Sequence, residues 1–258
     1  MMDKENLNKV LKTTEFITTK SFKLAIYRKG SDKASKLALV LPGKMDTKDY
    51  PHMHSHVDFL STKGYLALSF DPSGTWESEG SIEEYSASNY FKAIKEIIEF
   101  YGNKPTLLVG HSRGGSIAIL AGTKIKQVER FAVIMTNPDF KKHFPDLEWK
   151  EKGFRTHFRD TPTGYDYETK EFSLPYRFLE DDVQYEVLDD LKKCKKPKLF
   201  VAGLKDIHVK VEDAQKTYDL SAEPKYIELI DSEHDYRKDK KSIEKVNELL
   251  GKFILKNS

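Results

Sequence analysis

The 258-residue chain has one cysteine, Cys194, so no disulfide can form within it, and a reducing compartment suits that composition. Neither sign of charge dominates: 43 basic residues stand against 41 acidic ones for a net charge of +2, with no Lys/Arg block of the kind a nucleic-acid or membrane surface needs. Long apolar runs are missing as well. Residues Met1 to Glu15 mix Lys with Glu and lack the apolar run of a signal peptide, and no later stretch approaches a membrane span. Repeats and low-complexity tracts are absent. What remains is a globular chain expected in the cytoplasm, with a small-molecule partner and neither nucleic acid nor membrane.

What is present is an alternation of short apolar runs with longer amphipathic stretches. The runs are Leu37–Leu41, Tyr65–Phe70, Thr106–Val109, Phe131–Met135, Leu199–Ala202 and Tyr226–Ile230, and their near-continuous apolarity suits strands buried on both faces. Glu15–Thr19 and Phe22–Arg28 alternate as an antiparallel edge pair would. The pattern predicts an α/β fold, a mostly parallel central sheet of about eight strands with helices on both faces. One helix carries Tyr90, Ile94, Ile97 and Tyr101 on a single face, is expected to start from a capping box of Ser81 with Glu84, and can stop at Gly102. Met53, Val57 and Leu60 before Gly64 mark a second helix, and Ile243, Val246, Leu250 and Phe253 mark the last.

Between Asp139 and Tyr185 the alternation fails. These 47 residues hold eleven aromatics, about twice the chain average, and few aliphatics, which reads as an inserted cap or lid over a core made of residues 1–138 and 186–258. A long packed loop with purely structural aromatics is the alternative.

The chemistry concentrates at Gly110-His111-Ser112-Arg113-Gly114, which follows the strand at Thr106–Val109 and precedes a helical segment. Small residues around a serine at a strand-to-helix junction allow the tight turn that presents a nucleophilic hydroxyl. The plain structural reading makes Ser112 a helix N-cap and the glycines packing residues. A serine hydroxyl needs a base within hydrogen-bond reach, a group that orients the base, and donors for the developing oxyanion.

Gly-His-Ser-Arg-Gly-Gly after an apolar strand resembles the α/β-hydrolase superfamily, and the ordering of strands and helices from about Leu37 to the C-terminus matches it. That resemblance implies the order nucleophile, acid, histidine, with the acid after the strand that follows the cap and the histidine after the last strand. Asp206, in Gly203-Leu204-Lys205-Asp206, and His234, in Asp231-Ser232-Glu233-His234, occupy those places. Asp231, Asp181 and Asp182 are rival acids. The oxyanion donors by position are the backbone amides of Arg113 and Lys44, with Met45 as fallback; Pro42-Gly43 stands where the family often has His-Gly.

Three other features weigh less. His52-Met53-His54-Ser55-His56 looks like a metal tract, but an isolated pair at i, i+4 is usually a polar helix face, so neither metal nor cofactor is expected. The Asp71–Gly80 loop reads as a multiple turn that can shape the rim of a site. Cys194, at a helix end, reads as an ordinary surface or half-buried thiol. The function these readings imply is a serine hydrolase cleaving a carboxylic ester through Ser112, His234 and Asp206 by way of an acyl-enzyme, the aromatic segment leaning toward an apolar or aromatic acyl group. Alternatives are an aminopeptidase or thioesterase on the same fold, or a small-molecule receptor with slow turnover.

Overall fold

Apolar runs long enough for one strand each, separated by helices, fold into the layered arrangement their pattern predicts. The computed structural model describes residues 14–256, so residues 1–13, most of the segment read for a signal peptide, lie outside the described residues. The strands of the main sheet are β1 (Glu15–Thr18), β2 (Lys23–Lys29), β3 (Lys36–Leu41), β4 (Tyr65–Phe70), β5 (Thr106–His111), β6 (Val128–Ile134), β9 (Lys198–Gly203) and β10 (Lys225–Ile230). They lie in the order β1-β2-β4-β3-β5-β6-β9-β10. β1, β2 and β4 pair antiparallel, and every other neighbouring pair is parallel. Helices α1 (Pro51–Thr62), α2 (Ala87–Phe100), α3 (Arg113–Lys124), α6 (Val187–Leu191), α7 (Val211–Leu220) and α8 (Lys240–Lys256) connect and cover them.

Burial of β4, β5 and β9 throughout, and of β3 beyond Lys36, explains their apolar sequences. β10 departs from that expectation: as the last strand of the sheet it leaves Glu228 and Leu229 exposed. β6 starts three residues before the predicted run and ends at Ile134, one residue short of Met135. The capping-box expectation is corrected. Ile82–Glu84 forms a separate 3-10 turn, and α2 begins after Ser86, whose hydroxyl accepts the Asn89 amide at 3.1 Å. Glu84 is drawn away by the Ser73 hydroxyl, which donates to its carboxylate at 2.5 Å. The edge pair is tied to α2 by Glu96, which accepts from Thr19 Oγ1 at 2.8 Å and from the Ser21 amide and hydroxyl at 2.9 and 2.7 Å.

Residues 139–185 are structured: α4 (Leu147–Lys152), an antiparallel hairpin of β7 (Phe154–Asp160) and β8 (Thr169–Pro175), then α5 (Arg177–Asp182). Trp149, Phe172, Tyr176 and Phe178 are buried and give this segment the aromatic content noted above. Among the described residues no helix is long and apolar enough to cross a membrane. Cys194 is buried in the turn after α6 rather than at the surface.

The first turn of α3 packs directly on the exit of β3. A β-carbon at Gly114 would lie 2.1 Å from the Leu41 carbonyl oxygen and 2.5 Å from that of Pro42. Both obstacles are backbone, so they cannot swing aside. Gly114→Ala is expected to cost about 1–3 kcal/mol, the usual range for overpacking a tight site, read as a lowered urea midpoint at unchanged m-value.

Candidate active site

At the end of β5 the chain reverses into α3 through Ser112, whose φ of 51° and ψ of −120° are unfavourable for a residue with a side chain. The turn is locked from several sides. The Ser112 amide donates to the Ile134 carbonyl at 2.9 Å, and its carbonyl accepts from the amides of Gly115 and Ser116 at 2.9 and 3.2 Å. Gly110 must lack a side chain because a β-carbon there would meet the Gly114 carbonyl oxygen at 2.3 Å. Strain held by this packing leaves the Ser112 hydroxyl projecting beyond the carboxyl edge of the sheet.

Asp206 and His234 meet it from the loops after β9 and β10. Ser112 Oγ lies 2.9 Å from His234 Nε2, and His234 Nδ1 lies 2.7 Å from Asp206 Oδ2. The other oxygen of Asp206 accepts the amides of His208 and Val209 at 2.7 and 2.9 Å. Burial acts to raise Asp206, but the His234 bond and the two amides outweigh it and hold the carboxyl below its ordinary range. The two loops are stitched together by the Lys205 amide on the Ser232 carbonyl at 3.0 Å. His111 adds a contact its place in the motif did not reveal: its Nε2 bonds the His234 carbonyl at 3.0 Å. The rival acids are engaged elsewhere. Asp231 pairs with Lys205 at the surface, Asp181 accepts from Ser88, and Asp182 pairs with the Arg113 guanidinium.

The loop after β3 is held rigid by residues far apart in sequence. The Met45 amide donates to the Tyr85 hydroxyl at 3.0 Å and its carbonyl accepts Trp76 Nε1 at 2.9 Å, so the fallback oxyanion donor is already committed. The Lys44 carbonyl accepts Arg159 Nη2 at 2.8 Å, while the Lys44 amide has no hydrogen-bond partner among the described residues. Arg113 is the first residue of α3, so its amide is one of the orphan donors of a helix N-terminus. The Asp71–Gly80 loop supports this arrangement from behind: buried Asp71 accepts from Thr47 Oγ1 and the Lys48 amide, each at 2.8 Å. The Lys48 ammonium is surrounded by Asp49, Asp71 and Glu77, which keep it charged despite its burial.

Above the serine opens a cavity of about 740 Å³, walled on one side by residues 139–185. Its lining is mixed: Lys44, Arg113, Arg155, Arg159, His143 and His157 reach it beside the aromatic side chains of Phe140, Trp149, Phe158 and Phe178. Arg113 is clamped by both Asp182 oxygens at 2.8 and 2.7 Å and lies over the Phe178 ring at 4.1 Å.

The histidine tract is corrected from a solvated face to a buried one. His52 and His56 point inward from α1, with His56 bonded to Asn247 and the Tyr236 hydroxyl at 2.6 and 2.8 Å, and burial lowers it to about 4. Both ring nitrogens of His52 are buried without a hydrogen-bond partner. Donor atoms of Asp46, His52 and His111 fall within 4.8 Å of one another, but Asp46 is already ion-paired with Arg159.

No family model matches the sequence. A lysophosphatidylserine lipase, ABHD12 of Danio rerio, is 27% identical over 208 residues, covering 77% of this chain and 50% of that protein. The mitochondrial palmitoyl-protein thioesterase ABHD10 of Rattus norvegicus is 22% identical over 203 residues, 77% of this chain and 68% of that one. The chain thus spans half the length of the first relative. Among solved structures, mouse α/β-hydrolase domain-containing protein 10 superposes with a TM-score of 0.75 at 21% identity, covering 95% of this chain and all of that one. Est1E of Butyrivibrio proteoclasticus, solved with ferulic acid, gives 0.71 at 18% identity over 94% and 98%. Together with the strand order, these likenesses show that the chain has the α/β-hydrolase fold.

The Arg113–Asp182 pair joins α3 to α5, with side chains only 9% and 6% exposed. Asp182→Ala would leave the guanidinium buried without a partner. Breaking such a pair costs about 3–5 kcal/mol, and chemical denaturation is expected to show a loss of that order. A loss under about 1 kcal/mol would mean that water reaches the guanidinium freely.

Proposed function

We propose that the chain is a serine hydrolase acting on a small acyl ester, with Ser112 as nucleophile, His234 as general base and then acid, and Asp206 as the carboxylate that orients the imidazole. The observation that carries this reading is the unbroken chain of contacts from Ser112 Oγ to His234 to Asp206, at 2.9 and 2.7 Å. His234 takes the hydroxyl proton as Oγ attacks the acyl carbon, and the imidazolium so formed is stabilised by Asp206. The carbonyl oxygen, now negative, is received by the amides of Lys44 and Arg113, the first held by the pinned loop and the second by the start of α3. His234 returns its proton to the departing alcohol, and a water activated by the same imidazole frees the acid. Residues 139–185 act as a cap that closes the cavity over the bond to be cleaved.

Hydrolysis of a thioester by the same residues is the second reading, favoured by the likeness to a palmitoyl-protein thioesterase. The acyl-enzyme is common to both, so only the leaving group separates them.

A fluorophosphonate probe is expected to label the protein at Ser112 and to leave Ser112→Ala unlabelled, as read by mass spectrometry of the labelled peptide. Absence of labelling in the wild type would sink the serine-hydrolase assignment. Asp206→Asn is expected to fold normally and lose about 10³–10⁴-fold in kcat on a nitrophenyl ester, the scale seen when an orienting carboxylate is neutralised. Matched oxygen and sulfur esters of one acyl group, compared by kcat/KM, then decide between the two leaving groups.

A further inference from the structure

Resting on the hydrolase reading above, we propose that the cavity beside Ser112 is an anion subsite, that the Lys44 side chain is its specificity-determining cation, and that the substrate carries a carboxylate close to the bond cleaved.

Every guanidinium that borders the cavity is already matched with a carboxylate. Arg113 is held by Asp182, Arg155 by Asp146 at 2.7 Å, and Arg159 by Asp46. Lys44 is the exception. Its ammonium has no carboxylate within salt-bridge distance among the described residues; it lies 3.4 Å from His157 Nε2, and 5.2 and 5.3 Å from the ring centres of Trp149 and Phe178. Aromatic faces are weak substitutes for a counterion, and a half-buried ammonium without one is costly. A bound carboxylate would supply the missing counter-charge and a charge-assisted hydrogen bond that the rings cannot. The same residue offers its backbone amide to the reacting carbonyl, so an anion held by its side chain necessarily sits within a side chain's length of the reaction. Such a cation, enclosed on a rigid loop, discriminates between substrates by the partner it is left without.

The electrostatics agree. Burial, with Arg113 next, lowers Lys44 to about 7, against the pull of Asp182 and with the help of Arg155 and Arg159. The groups that face it are His157, Arg155 and Arg159 from β7, Trp149 from α4, Phe178 and Asp182 from α5, Arg113 from α3, and His143 before α4. Burial first, then Lys44, holds His157 to about 4, so that ring is uncharged from pH 6 to 9 while the guanidiniums stay charged; burial also lowers His143. Lys44, lowered to about 7, loses its charge within that window. Groups that act equally on two substrates, His234 and Asp206 among them, cancel in a ratio of their kcat/KM values.

Two pairs of esters test the inference and tell the acyl from the alcohol side. The first is 4-nitrophenyl hemiglutarate against 4-nitrophenyl valerate, and the second is 4-butyryloxybenzoate against phenyl butyrate. At pH 6 one anionic member is expected to exceed its neutral partner at least about tenfold in kcat/KM, the value of one charge-assisted hydrogen bond. That ratio should fall as the pH rises through about 7, because Lys44 then loses its proton, and should collapse toward one in Lys44→Met and Lys44→Gln. Labelling of Ser112 by the fluorophosphonate in each variant reports that the nucleophile and its base remain in place. A ratio at or below one in both pairs, in protein that labels, overturns the anion subsite alone; so does a preference that survives both substitutions, which would leave Lys44 as a packing residue. A wild type that neither labels nor turns over any ester defeats the hydrolase reading, and this inference with it.

Discussion

The close approach of the first turn of α3 to the exit of β3 is the constraint on which the rest of the site depends. Only glycine at 110 and 114 lets the backbones come this near, and the nearness has two effects. It holds Ser112 in a conformation its own side chain disfavours, so the hydroxyl stands clear of the sheet. It also brings the amide at the start of α3 beside the loop that carries Lys44, where two donors can share one oxygen. A parallel sheet makes this possible because all its strands deliver their following loops to the same edge.

Around that contact the supports come from every part of the chain. Tyr85 and Trp76 clamp Met45 from the segment before α2, Arg159 holds the Lys44 carbonyl from the β7–β8 hairpin, and His111 grips the carbonyl of His234. None of these touches the proposed reacting atoms. Their work is to remove freedom from loops whose own backbone groups are few, so that little reorganisation is left for the reaction itself. Residues 139–185 are bound into this scheme rather than laid over it. The hairpin is fastened to the β3 loop through Arg159 and to the loop after β10 through Arg237, which pairs with Asp160 at 2.5 Å.

Placing cations around a cavity is a different matter from placing a nucleophile. Arginines matched with carboxylates serve as rigid struts. An ammonium left with aromatic rings and a neutral imidazole is a deliberate imbalance, stabilised only when something else arrives.

Much of the fold was legible in the residue pattern. Strand positions follow from short apolar runs because burial on both faces demands side chains without polarity, as in β4, Tyr65–Phe70, where the predicted and observed limits coincide. Ser112 could be named from its strand-to-helix turn, and Asp206 and His234 because they stand just past the strands where the family resemblance puts the acid and the histidine. The start of α2 could not, since Ser81 and Ser86 both offer a hydroxyl and the choice was made by Ser73 capturing Glu84. The burial of His52 and His56 was equally hidden: whether a helical face meets water or Asn247 of the last helix is settled by packing across the whole chain. The charge of the cavity belongs to the same class. Lys44 and Arg113 were singled out for amides, which every residue has, whereas the fate of their side chains depended on Asp182, Trp149 and His157, distant in sequence and close only in the folded molecule. By itself the sequence determined the layers, most strand limits and the turn at Ser112, because those follow from local periodicity and turn chemistry, while Asp206 and His234 were reached through the family resemblance. The tertiary structure alone decided which cations are neutralised and that half-buried Lys44 is left with aromatic rings beside the cavity, because charge pairing is a property of distance in space and leaves no period along the chain.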